Sequence, residues 1–231
     1  MNQAALNLIA ILIFAMTLSS LLGPWLHISP WITAIATAGI LGFATLDNFS
    51  WQGRGANLVL DWMAGFSSDH RERVIRHEAG HFLVAHQLQI PIMGYTLTAW
   101  ETLKQGQPGL GGVQFDVQAL DAELQQGKLS AQLLDRYCAI WMAGMAAEDL
   151  TYGNIQGGSD DCRKLRSVLA SLRYVDAQIA QKERWAALQA RTILQENQSA
   201  YQALTHAMQQ RSSISDCYHA IEQNLGAVDS L

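Results

Sequence analysis

From Ala4 to Leu22 nearly every position is apolar, and a second apolar run extends from Trp31 to Leu46. The first is about long enough to cross a bilayer as a helix before Gly23-Pro24 breaks it. The second is a little short, and crosses only if Ser29 and the residues after Leu46 lie among headgroups. Trp25, Trp31 and Trp51 flank these runs, as tryptophans do at a membrane interface. Residues 1–46 are therefore expected to form an N-terminal transmembrane helical hairpin, a membrane anchor with lipid as its partner. A cleaved signal peptide fits less well, because Met1-Asn2-Gln3 carries no charged side chain. The length and the lack of charge also argue against a hairpin buried in a soluble core.

The pattern then changes. Residues 47–68 mix Gly53, Gly55 and Gly65 with apolar positions and read as a linker. Asp69–Gln89 has a helix-start signal, with Asp69 as cap and Glu72 three residues on. Tyr95–Trp100 alternates and is rich in β-formers, which predicts a strand. Glu101–Gly109 reads as a polar loop, and Gly111–Phe115 as a second strand that closes a hairpin. Ser130 caps a helix over Ala131–Tyr152, whose Leu134, Tyr137, Trp141 and Met145 mark a buried face. Gly153, Gly157 and Gly158 make a loop, after which Ser159 is positioned to cap another helix. The stripe Ala187, Ala190, Leu194, Tyr201, Leu204, Met208 predicts one amphipathic helix over Ala177–Gln210, and Ser213–Asp216 starts a last one. These C-terminal helices are expected to pack behind the site or to mediate contacts in a homo-oligomer. The fold class is mainly α with a small β-hairpin or sheet, and residues 69–231 form one domain.

Composition adds three constraints. Hydrophobic residues make up 49% and charged residues 15% of the 231, yet no Asp, Glu, Lys or Arg precedes Asp47. The first basic residues, Arg54, Arg71, Arg73 and Arg76, all follow the second apolar run. By the positive-inside tendency, the chain is an integral membrane protein with its C-terminal domain on the cytoplasmic side. The net charge of −5 offers no basic footprint, so nucleic acid is not an expected partner. Cys138, Cys162 and Cys217 lie far apart with no CxxC pair, which argues against a disulfide framework and a thiolate zinc site.

The chemistry is concentrated in His77-Glu78-Ala79-Gly80-His81. On a helix, positions i and i+4 lie about 40° apart, so His77 and His81 point the same way and can share one zinc ion. Glu78 projects close by, where it can take a proton from water on the metal. A catalytic zinc site takes three protein ligands and leaves one position open. His86 is off the metal face, and position 87 is Gln, which rules out a third histidine ten residues after the first. The candidates are Glu148, Asp149, Asp160 and Asp161, and spacing does not choose among them.

Several stretches, in order, resemble the protease domain of the FtsH family of membrane-anchored, ATP-dependent zinc metalloproteases. His77–His81 is that family's zinc motif in full. Leu110-Gly111-Gly112-Val113 loosely resembles its Ala-Leu-Gly-Tyr-Thr strand. Ala143-Gly144-Met145-Ala146-Ala147-Glu148-Asp149 is similar to its Gly-Gly-Arg-Ala-Ala-Glu-Glu, and Gly157-Gly158-Ser159-Asp160-Asp161 to its Gly-Ala-Ser-Asn-Asp. The likeness covers roughly residues 69–210. It implies a zincin-like HExxH helix, Zn2+ held by His77, His81 and Asp161, and Glu78 as the catalytic base. The family's ATPase module is missing, since only about twenty residues separate anchor from protease domain and no GxxxxGK[ST] loop occurs. Met145 stands where the family has arginine and Ala143 where it has glycine, so its ring of subunits is not carried over. The expectation is a membrane-anchored zinc metalloendopeptidase for unfolded or membrane polypeptides, ATP-independent or served by a separate ATPase or FtsH-type partner. The alternative is a zinc-binding, non-proteolytic scaffold or regulator of such proteases.

Overall fold

The computed structural model describes residues 3–23, 25, 27, 29–50, 67–104, 111–126 and 129–225. The chain divides into two compact units, one of Met1–Phe66 with Thr98–Leu110, the other of Ser67–Leu97 with Gly111–Leu231. Its described elements are helices and one two-stranded antiparallel sheet, so the mainly α class with a small sheet is the observed one.

In the first unit, α1 (Gln3–Leu22) and α2 (Pro30–Ser50) form a helical pair, with the Ser19 and Thr33 hydroxyls 3.5 Å apart. The elements match the expected hairpin, but the expected membrane crossing finds no support in them. Among the described residues no helix is long and apolar enough to cross a membrane. Thr17, Ser19 and Ser20 interrupt the apolar run of α1, and Thr33, Thr37 and Thr45 that of α2. A short helix, α4 (Ala99–Lys104), also belongs to this unit. Most of the linker, residues 51–66, lies outside the described residues.

In the second unit the core is a helical stack around two helices. The first is α3 (Ser68–Gln87) and the second α6 (Ala131–Tyr152). From Ala79 to Ala85 every residue of α3 is buried, as is every residue of α6 from Tyr137 to Gly144. Helices this apolar on all sides need neighbours on all sides. Helix α3 packs on α6 and on α9 (Gln198–Gln209), while α6 also packs on α8 (Asp176–Glu196). Gly80 permits the close α3–α6 crossing: a Cβ there would lie 2.7 Å from the Ala147 Cβ and 2.8 Å from the Ala143 carbonyl oxygen. Two smaller helices, α7 (Ser159–Ser171) and α10 (Ile214–Asn224), flank this stack.

The sheet pairs β1 (Ile92–Thr96) with β2 (Gly112–Phe115), with Tyr95 opposite Val113, Thr96 opposite Gly112 and an irregularity at Ile92/Gly94. The Tyr218 hydroxyl accepts from the Ile92 N–H at 3.1 Å, and the Tyr95 hydroxyl donates to the Ser212 carbonyl at 2.6 Å. These bonds anchor β1 to the C-terminal segment. Helix α5 (Gln118–Gln125) follows β2.

Several boundaries differ from the sequence reading. Ser67, not Asp69, caps α3, its hydroxyl accepting from His70 N–H. The first strand ends at Thr96, and Ala99–Lys104 is helical where a strand end and a loop were expected; residues 105–110 lie outside the described residues. Gly158, at φ 81°, precedes α7, and Ser159 is already its first residue. The single long C-terminal helix is two, broken at Asn197 (φ −122°, ψ 37°). Asn197 Nδ2 donates to the Ile193 carbonyl at 2.8 Å, and its Oδ1 accepts from Gln87 Nε2 at 3.3 Å. The helix Ala131–Tyr152 with its Ser130 cap is as expected, as is the start of the last helix after Ser213, where Ser213 and Asp216 form a capping box.

Candidate metal centre

His77 and His81 are buried on α3, one turn apart, with ring centroids 4.8 Å from each other. Their Nε2 atoms stand 3.1 Å apart, and Asp161 Oδ2 lies 3.4 Å from the first and 3.5 Å from the second. A tetrahedral zinc with ligand bonds of about 2.0–2.1 Å separates its ligand atoms by roughly 3.3–3.4 Å. The three atoms therefore make a triangle of the right size.

The hydrogen-bond partners on the far side of each ring decide what those atoms carry. His81 Nδ1 lies 2.7 Å from the Ile140 carbonyl, which can only accept, so Nδ1 holds the proton and Nε2 of the neutral ring presents a lone pair. His77 Nδ1 donates to Glu148 Oε1 at 2.7 Å, with the same consequence for its Nε2. Two imidazole lone pairs and a carboxylate oxygen converge on one point. That convergence is repulsive without a cation or a proton between them, and it is the donor set of a divalent metal site. His77, His81 and Asp161 are the group among the described residues that could hold a metal ion.

Without a metal, a proton takes the place of the cation. Burial alone would lower the His77 pKa, but hydrogen bonds with Asp161 and Glu148 and the charge of Glu78 push it up to about 10. Burial likewise opposes ionisation of Asp161, yet the charge of His81 and hydrogen bonds with both imidazoles hold its carboxyl well below the usual carboxylate range.

The four acidic candidates separate cleanly. Asp161 joins the histidines from the first turn of α7. Asp160 pairs with Arg163 at the surface, and Asp149 pairs with Arg191 away from the cluster. Glu148 is 1% exposed and orients the His77 ring. Its Oε2 accepts from Arg73 Nη1 at 2.8 Å and the Gln156 N–H at 2.9 Å, and its Oε1 from the Gly157 N–H at 3.1 Å. Burial would raise its pKa, but the bonds from His77, the Gln156 amide and Arg73 bring it down to about 2. A folded pKa below the ordinary 4.5 contributes stability that is complete above that value and is lost as pH falls through about 2. In chelator-treated protein, Glu148→Gln is expected to remove up to about 3 kcal/mol of stability at neutral pH and to flatten the acid decline of Tm between those limits. Thermal melts across that range check it; an unchanged acid decline in the variant would contradict the assignment.

Two contacts of the site were not read from the sequence, although the small size of Gly144, Ala146 and Ala147 predicts close approach to a neighbouring helix. Gly144 on α6 faces the His77 ring, where a Cβ would lie 2.2 Å from Nε2. Val113 N–H donates to Glu78 Oε2 at 3.0 Å, which ties β2 to the carboxylate beside the metal ligands. The Ala143–Asp149 stretch carried the first signal as a run of small residues before Glu148, but nothing in the sequence named its partner. No protein-family model matches the chain and no curated protein matches it, so the likeness to the FtsH protease domain rests on its motifs alone.

Proposed function

We propose that the chain is a zinc-dependent metalloendopeptidase acting on unfolded or membrane-released polypeptide. The observation that carries this reading is Glu78: it stands beside His77 on α3, takes no place in the metal triangle, and has its carboxylate oriented by the Val113 amide. Holding zinc needs His77, His81 and Asp161 only, so a non-proteolytic zinc scaffold has no use for a positioned fourth group. When bound, zinc supplies a Lewis acid that polarises a peptide carbonyl and acidifies water at the site. Glu78 accepts the proton of the attacking water and returns it to the leaving amine. Glu148 and the Ile140 carbonyl each hold an Nδ1 proton, which aims both imidazole Nε2 atoms at one point. Strand β2, with an N–H directed at Glu78 and not into the ladder, offers main-chain groups to an extended peptide.

The first unit is proposed to contact lipid. Ile13, Phe14, Leu21, Trp31 and Ile35 are exposed, while Thr17, Thr37 and Thr45 return their hydroxyl protons to carbonyls one turn back. Such surface is costly in water and favourable in hydrocarbon. The basic residues after it, Arg54, Arg71, Arg73 and Arg76, favour a cytoplasmic side for the peptidase unit. A separate ATPase or FtsH-type partner would supply unfolded substrate, and a homo-oligomer is compatible with the same reading.

The test uses the full chain, purified in detergent and reconstituted with vesicles, against an unfolded labelled protein without nucleotide. Wild type is expected to float with the vesicles and to cleave. Glu78→Gln, with its zinc content verified, is expected to lose activity by about 10^2–10^4-fold. Equal cleavage by the variant would remove Glu78 from the chemistry. No cleavage by zinc-loaded wild type would turn the reading to the scaffold.

A further inference from the structure

We propose that Arg73 is a positioning residue of the metal centre, acting on His77 through Glu148. The proposal rests on the zinc reading and extends it to a group that touches neither metal nor substrate. Arg73, His77 and His81 follow one another at steps of four on α3, so one stripe of this helix carries both imidazoles and, a turn earlier, a guanidinium. Arg73 Nη1 lies 2.8 Å from Glu148 Oε2 and 3.2 Å from the Asn154 carbonyl oxygen. Its Cζ stands 4.0 Å from the Tyr152 ring centroid, and its side chain is 14% exposed. The guanidinium is thus held by three groups in one orientation.

The charge balance makes this contact more than a tie between helices. The Glu148 carboxylate is buried, and its other donors are two backbone amides and His77. When His77 Nε2 faces a metal ion, its ring is neutral and gives Glu148 a hydrogen but no charge. Among the described residues, Arg73 is then the one cation in ion-pair contact with Glu148. Without the Arg73 bond, Glu148 Oε2 keeps only the Gln156 and Gly157 amides, and the carboxylate is free to turn or to draw in water, which loosens its hold on the His77 Nδ1 proton. With Arg73 in place, the anion stays a full acceptor, the His77 ring stays in the tautomer that presents Nε2, and its plane stays fixed. A purely structural Arg73, linking α3 to the loop after α6 through Asn154 and Tyr152, would instead support the fold whatever the charge of residue 148.

The experiment measures zinc affinity of the full chain by competition with a chromophoric chelator. Wild type, Arg73→Met, Arg73→Lys, Glu148→Gln and Arg73→Met/Glu148→Gln are compared, each checked for helix content. Arg73→Met is expected to weaken zinc binding by about 10–100-fold, the range of outer groups that orient a ligand. Arg73→Lys, a cation with a single point of contact, is expected to recover most of that loss. In the Glu148→Gln background, where no buried charge needs an answer, Arg73→Met is expected to add nothing further. Wild-type affinity in Arg73→Met, or the same fold-loss in both backgrounds, would overturn the proposal and leave zinc binding intact. Wild-type protein that binds no zinc would remove the metal reading itself. Should Arg73→Met fail to fold, Arg73→Gln against Arg73→Gln/Glu148→Gln carries the same comparison, with wild-type affinity in Arg73→Gln, or the same fold-loss in both backgrounds, as the overturning result.

Discussion

Asp161→Ala is expected to abolish tight zinc binding while leaving the fold in place. The carboxylate closes a triangle whose other corners are two imidazole nitrogens 3.1 Å apart, and two neutral ligands alone hold zinc poorly. Its side chain is 28% exposed on the first turn of α7, so deleting it opens no large core cavity. Zinc at a hundred times its dissociation constant would stabilise wild type by about 2.7 kcal/mol, and in the variant that increment should vanish. Melting curves with and without zinc read it directly. Asp160→Ala is the control, because that carboxylate is 74% exposed and its ion-pair partner among the described residues is the surface Arg163. Its effect should stay within about 0.5 kcal/mol. A zinc-induced rise in Asp161→Ala equal to that of wild type would assign the third ligand elsewhere.

Gly144→Ala is expected to be as damaging to zinc binding from a position that holds no ligand. In an ordinary helix this change would stabilise by about 1 kcal/mol, since glycine is the poorer helix former. Here the new methyl would meet His77 Nε2 at 2.2 Å and Cδ2 at 2.4 Å. Neither side can give way cheaply. The His77 ring is held at Nδ1 by Glu148, and Gly80 has already brought α3 and α6 close together. Overpacking of this kind costs about 1–3 kcal/mol, so the clash outweighs the gain in propensity. The ring must turn away from Asp161, and the triangle opens. Isothermal titration with zinc should show loss of at least a hundredfold in affinity, with a lower Tm in the metal-free protein. Unimpaired binding would mean that α6 shifts freely against α3, contrary to their fully buried contact.

The same residues mark what the sequence could convey. His77, Glu78 and His81 were legible because the relation between them is local and a helix translates spacing into direction. The Ser130 cap and the stripe behind it gave α6 its limits for the same reason. Asp161 was not singled out by spacing from Asp160, Asp149 or Glu148; only the motif likeness pointed to it. What separates the four is which way each faces after α6 packs against α3 and α7 against α6, a tertiary fact. Arg73 meets Glu148 across 75 positions of chain, and Gly144 meets His77 across 67, so neither contact leaves a periodic trace. The errors were local ones. Alternation over Tyr95–Trp100 masked the change from strand to helix after Thr96. The apolar stripe from Ala187 to Met208 runs on through Asn197, although the backbone turns there, because both helices present a face to the same core.

The three ligand positions also differ in what it takes to move them. Two stand in the fully packed half of α3, where displacement requires much of the second unit to open. The third stands on α7, which buries only Leu165 and Leu169 and begins at Ser159, after Gly158, with no side-chain cap. Fraying of a single turn withdraws Asp161 while His77 and His81 stay put. The residence time of an ion held there would therefore be governed by the start of one peripheral helix, not by the unfolding of the core. A chelator would then strip such a centre from protein that remains folded, and reloading would begin from a half-built site with two corners already in place.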